Sequence, residues 1–157
     1  MKRAGISNVI ATIILIAVAI ALAVAVAIWA FGLFRGNAHA STLSSISQYL
    51  YVTSGGNYLV LYVQNPGGTT QNIVSVTLEG NACTYTGASN SLPSNPASAS
   101  PTVPGVTTSG NFVAVASGTL AYLVFTCTGS YSPGISYTGT IYLATGSSIP
   151  FTVTAQS

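Results

Sequence analysis

The sequence predicts an α+β molecule: a long N-terminal hydrophobic α-helix followed by an antiparallel, Ig-like β-sandwich head. Three observations carry this. From Val9 to Phe34 the only clearly polar residue is Thr12, and no charge stands between Arg3 and Arg35. From Tyr58 onward, apolar residues alternate with small polar ones at the period of a half-buried strand. Clusters of Gly, Pro, Ser and Asn punctuate that region, as turns require.

A helix over Val9–Phe34 would be about 39 Å long, enough to cross a hydrocarbon layer of roughly 30 Å with tilt. Ala17 to Ala27 places Ala at every odd position, with Val, Ile or Leu between, which is strand periodicity. A lone strand would leave its backbone groups unpaired in lipid, so the helix is preferred. On a helix the same alternation spreads Ala around the circumference and permits close approach from several sides. The segment is too long for a secretory h-region, and the small residues Ala4-Gly5 precede it instead of following it. Lys2 and Arg3 before the run against Arg35 after it favour a cytoplasmic N-terminus.

Lys2-Arg3-Ala4-Gly5 followed by Ile6-Ser7-Asn8-Val9-Ile10-Ala11-Thr12 resembles the class III signal of archaeal type IV pilins. The resemblance covers about the first 35 residues. It implies that a prepilin peptidase in the membrane cuts on the cytoplasmic side after Gly5, making Ile6 the first mature residue. A cut after Ala4, leaving Gly5 first, also fits. It further implies that a membrane assembly machinery packs the mature helix into a homopolymeric filament core through Val9, Ile10, Ile13, Ile14, Ala17, Ala21, Val24 and Ile28, after storage in membrane lipid. Bacterial relatives carry an acidic residue five positions into the mature helix, where this chain has Ile10. Archaellins also tend to carry Glu near that point, so the archaeal adhesion pilins are the nearer likeness and archaellins the second. Without a carboxylate, helix packing would rest on apolar contact and shape.

The implied organisation is a leader at 1–5, an assembly helix with its extension at 6–49, and an extracellular head at 50–157. Leu43, Ile46 and Leu50 recur at helical spacing and favour continuation of the helix to about Tyr49, while Gly32, Gly36 and Asn37-Ala38-His39-Ala40 leave a hinge open as the alternative. Tyr58–Val63, a turn at Asn65-Pro66-Gly67-Gly68, and Ile73–Leu78 read as a hairpin. Further strands are expected at Phe112–Ala116, Leu120–Thr126, Ser136–Ala144 and Ile149–Thr154, for about six to eight in total. The residues from 88 to 110 lack alternation and read as an exposed loop, either disordered or used for contact with a neighbour, a glycan or an adhesion target. The tyrosines of the strands suit core or intersubunit packing, or exposed aromatic rungs.

Between Ile6 and Ser157 the only formally charged side chains are Arg35 and Glu79. Phosphate neutralisation needs several Lys or Arg, so a nucleic-acid surface is excluded. Burial in subunit contacts, glycan decoration or an acidic environment would each explain the missing charge. The 20 Ser and 19 Thr could accept O-linked sugars, although strands and turns use the same residues. With one acidic side chain, stability should depend little on carboxylate titration.

Cys83 and Cys127 follow strand-like segments in a domain argued to be extracellular, so a disulfide is the leading reading and two buried thiols the alternative. Closing a loop of about 45 residues is worth roughly 4 kcal/mol. There is no Asp, Glu79 has no acidic partner, and the single His39 has no metal-ligand spacing around it, so neither a triad nor a metal or cofactor site assembles. The sequence therefore points away from an enzyme. The expected function is that of a pilin supporting adhesion to surfaces or cells, and the alternative is a membrane-anchored extracellular binding module or an archaellin.

Overall fold

The computed structural model describes residues 3–38 and 42–157, in two compact units, Met1–Ala40 and Ser41–Ser157. The first unit is α1 (Arg3–Ala38), a helix of 36 residues that runs unbroken through Gly5, Gly32 and Gly36. Thr12 does not interrupt it, because its hydroxyl donates to the Asn8 carbonyl at 2.6 Å and is satisfied within the helix. His39 lies outside the described residues. The helical continuation expected up to Tyr49 is not formed: Ser44–Thr53 is strand β1. Ile46 sits in a register shift between Ser45 and Ser47. This irregularity interrupts the alternation and leaves apolar residues at a spacing that imitates a helix.

Among the described residues, the regular structure of the second unit is strand apart from one short turn of 3₁₀-helix. After β1 come β2 (Gly56–Gln64), β3 (Gln71–Leu78), β4 (Asn81–Ser89), the 3₁₀ turn η1 (Pro96–Ser98), β5 (Val106–Ser109), β6 (Phe112–Val115), β7 (Leu120–Cys127), β8 (Ser136–Leu143) and β9 (Ser148–Gln156). Seven of these strands close on themselves in the order β1-β2-β7-β4-β3-β8-β9 and back to β1. The β1–β9 seam is parallel and every other pairing is antiparallel. The head is thus a closed barrel and not the expected Ig-like sandwich. Period-two burial is common to both architectures, since each has one dry face and one wet face per strand. What separates them is closure, through the long-range pairing of β1 with β9 and through the short β3–β4 hairpin, whose strands also pair with β8 and β7.

The expected hairpin between β2 and β3 is likewise absent. β2 lies between β1 and β7, and β3 lies beside β8, β4 and β6. The intervening Asn65 is fully buried. Its amide donates to the carbonyls of Thr69 and Val115, its side-chain oxygen accepts from Gly67 N–H, and its backbone exchanges bonds with Thr119 and Gly118. With both ends of the side chain spent on separate segments, the chain is carried across the end of the barrel instead of folding back.

The core fills the barrel. Leu59, Leu61 and Val63 of β2 face Leu123 and Phe125 of β7, Val76 and Leu78 of β3, Ile141 of β8 and Val153 of β9 in one continuous cluster. Seven strands enclose a space that side chains can fill. Gly139 is required there: a Cβ would lie 2.7 Å from the Thr77 carbonyl and collide with the Phe151 ring, which occupies the space above it. β3 forks the sheet, pairing with β6 through Gln71–Ile73 and with β4 through Val76–Leu78, so that the β5–β6 hairpin branches from the barrel wall.

The loop expected across 88–110 holds more order than the sequence indicated. Its ends belong to β4 and β5, and η1 packs on β2. Ala88 N–H donates to the Ser100 carbonyl at 2.7 Å, and the Tyr85 hydroxyl donates to the Pro101 carbonyl at 3.2 Å. Val60 and Val124 point away from the barrel interior yet are fully buried, because this excursion crosses the outer face beside them.

Candidate functional site

The first candidate is the helix surface. Ala4, Gly5 and Ile6, the expected cleavage positions, lie in the opening turns of α1, and no other part of the chain comes within 4 Å of where a Gly5 Cβ would be. The expected filament-core residues Ile10, Ile14, Ala17, Ala21, Val24 and Ile28 fall at spacings of four and three, which aligns them in one stripe, with Ile13 and Val9 beside it. Within the helix unit these residues are exposed, and the opposite side is equally bare: Leu15, Leu22, Val26 and Leu33 are all exposed. The span Gly5–Leu33 is long and apolar enough to cross a membrane, and none of it is buried within the chain. At about 1.5–3 kcal/mol for each large apolar side chain, leaving this surface in water would cost on the order of tens of kcal/mol. The segment is therefore consistent with membrane insertion or with a signal sequence.

The second feature is the disulfide between Cys83 and Cys127, with Cα atoms 4.0 Å apart. The two residues are direct partners in the β4–β7 ladder, and Cys83 is also the partner of Val76 in β3. The bond therefore sits where three strands meet, at the end of the short β3–β4 pairing that closes the barrel. Such a bond fits an oxidising, extracellular compartment.

The third feature was not anticipated from the sequence. Leu78-Glu79-Gly80-Asn81 joins β3 to β4 through two residues with positive φ, Glu79 at 50° and Gly80 at 77°, the tight turn that matches strand twist. This conformation turns Glu79 toward β8. Its N–H donates to the Thr138 carbonyl at 2.9 Å, while its Oε1 accepts from Thr138 N–H at 2.8 Å and from the Thr138 hydroxyl at 3.0 Å. The bond from the Thr138 backbone, followed by that from its hydroxyl, holds the carboxyl below the ordinary carboxylate range, against a smaller opposing effect of desolvation. Glu79 is thus a fixed anion at the edge of an open groove of about 740 Å³ on the outer face of β3, β8 and β9. Thr77, Thr138, Thr140 and Thr152 floor the groove, and Tyr142 and Pro150 stand at its side. Thr140 pairs with both Thr77 and Pro150, and Thr138 pairs with Thr152, so these side chains form cross-strand rows. A single Glu with no acidic neighbour in sequence gives no local sign of such a groove; the Thr-x-Thr alternation in two adjacent strands was the signal.

The tyrosines divide by face. Tyr49, Tyr51, Tyr58, Tyr62 and Tyr122 stand half-buried on the outer side of β1, β2 and β7, with Tyr62 and Tyr122 stacked at a centroid distance of 4.3 Å. Tyr85, Tyr131 and Tyr137 pack with the core. Among the described residues no group of three or more His, Cys, Asp or Glu could hold a metal ion. Compared with protein-family models and with curated proteins, the chain matches none.

Proposed function

We propose that the chain is the structural subunit of an archaeal type IV pilus-like helical filament, inserted in the membrane as a precursor and displayed on the cell surface after removal of the leader. The observation that carries this reading is the helix: apolar on every side, free of charge from Ile6 to Phe34, and preceded by the Lys2-Arg3-Ala4-Gly5 leader. A cut in the first turn of α1, just ahead of the apolar run, would convert a lipid-embedded segment into one that copies of the chain bury against each other. The nearly neutral head supports the same reading, since closely packed copies would meet little like-charge repulsion. Exposed Ser and Thr hydroxyls on the barrel could carry O-linked sugars, and the filament would serve adhesion.

Electron microscopy of sheared extracellular material, with peptide mapping of its N-terminus, tests the proposal. Filaments containing the chain with Ile6 or Gly5 as first residue are expected. Recovery solely from the membrane fraction, with the leader intact, would favour the second reading, a membrane-anchored β-barrel binding module, for which the helix is equally long enough.

A further inference from the structure

We propose that the groove bounded by Glu79 and Tyr142 is a binding site for a neutral saccharide chain. The inference rests on the extracellular placement of the head proposed above and supplies a ligand class for adhesion. The groove is polar without being charged, apart from one carboxylate, and that carboxylate is fixed in place by two bonds to Thr138 at 2.8 and 3.0 Å. Both bonds end on Oε1, which leaves Oε2 to accept from a ligand hydroxyl in a charge-assisted bond. The hydroxyls of Thr77, Thr140 and Thr152 can both donate and accept, as a polyol requires, and that of Thr138, whose proton goes to Glu79, can still accept. Tyr142, 43% exposed, and the neighbouring Pro150 offer apolar surface to the C–H face of a sugar ring.

The same residues exclude the other common ligand classes. No Lys, Arg or His lines the groove, so an anionic ligand would meet Glu79 with no compensating charge. A lipid tail would strip water from a floor of hydroxyls. The volume of about 740 Å³ falls within the span of about 300–1,000 Å³ typical of small-molecule sites. Apart from Glu79 and Gly80 in the tight β3–β4 turn, the site lies on strands of the closed barrel, so its geometry is preformed.

The test is calorimetric titration of the full-length chain, in a zwitterionic detergent free of sugar, with cellohexaose, maltohexaose and mannohexaose, and with oligogalacturonate as the acidic counterpart. Saturable binding of at least one neutral oligomer is expected with Kd below about 1 mM, and the acidic oligomer should bind at least about tenfold more weakly. Glu79→Gln and Tyr142→Ala should each weaken binding at least about tenfold, whereas Tyr51→Ala, on another face of the barrel, should leave it unchanged. Thermal melts of each variant separate lost binding from lost folding, and Thr152→Val serves where either variant melts early. Binding by none of the neutral oligomers, equal binding of the acidic one, or indifference to both groove substitutions would overturn the proposal. Shearing and microscopy of the same cells keep the two readings apart: intact filaments without saccharide binding refute this inference alone, and binding without filaments refutes the assembly reading alone.

Discussion

Replacing both cysteines, Cys83→Ala with Cys127→Ala, should reveal how the barrel stays closed. The bond spans a sequence separation of 44 residues. Loop-closure entropy for a ring of that size amounts to about 4 kcal/mol at room temperature. For a head of this size each kcal/mol moves the melting midpoint by about 4 °C, so the pair should lower it by about 16 °C. Single-domain stabilities are about 5–15 kcal/mol, which makes this loss a large fraction of the total. The location matters as much as the magnitude. β3 and β4 are joined by only three residue pairs, and Cys83 belongs to one of them. The assay is near-ultraviolet circular dichroism of tyrosine during heating, since Trp29, the single tryptophan, lies in α1 and not in the head. Amide exchange should accelerate first at residues 76–83 and last along β8 and β9. A midpoint shift below about 4 °C, or uniform acceleration across the barrel, would mean that the hydrogen-bonded ladder closes the seam unaided, and the reasoning from loop entropy would be wrong.

Ile10→Asp or Ala21→Asp should abolish filaments in sheared material while the head keeps its melting midpoint, because an isolated charge in a dry helical bundle is expensive; normal filaments from both would contradict the packing reading. Gly139→Val should destabilise the head by about 3 kcal/mol or more, through collision with Phe151 and the Thr77 carbonyl. Gly68→Ala, where no atom lies within 4 Å, should be nearly neutral in the same melts. The pH dependence should be small and confined to the acid side. The folded-state pKa of Glu79 is lowered, so its contribution is present at neutral pH and is lost as the pH falls through that lowered value. The midpoint should therefore stay flat from neutral pH to the ordinary carboxylate range, decline from there as Glu79 of the unfolded chain takes up its proton, and level off below the lowered folded-state value, and Glu79→Gln should remove the decline. A midpoint that rises as the pH falls through the ordinary carboxylate range, or a decline that persists unchanged in Glu79→Gln, would contradict the Thr138 geometry.

Where alternation was intact, the strands were legible. Leu59, Leu61 and Val63 mark β2, and Leu123 and Phe125 mark β7, because every second residue enters the core. Where a bulge intervened, they were not. The shift at Ile46 disguised β1, and the shift between Tyr85 and Gly87 broke the pattern of β4, whose residues are also small. β5 has only four residues, too few to show a period. Closure was invisible for a different reason: the partners Leu50 and Ala155 stand at opposite ends of the head sequence, and no local pattern reports their meeting. The helix and the disulfide were readable because one is a long run and the other a matter of counting. The Glu79 groove was not, since it combines three strands and the β3–β4 turn, which only their pairing brings side by side.

The parallel seam between β1 and β9 also decides how the head would meet a mechanical load. Because these strands run the same way, Ser44 and Gln156 emerge from opposite poles, and Tyr51 at the far end of β1 pairs with Gln156. Tension applied between Ser44 and an anchor point beyond Gln156 would pull the two strands lengthwise past each other. Their cross-strand bonds would then be strained together in shear, whereas an antiparallel pair pulled from adjacent ends would peel open one bond at a time. Rupture would be governed by the unfolding rate under force and not by equilibrium stability, so a single short seam would set the tension at which the barrel gives way.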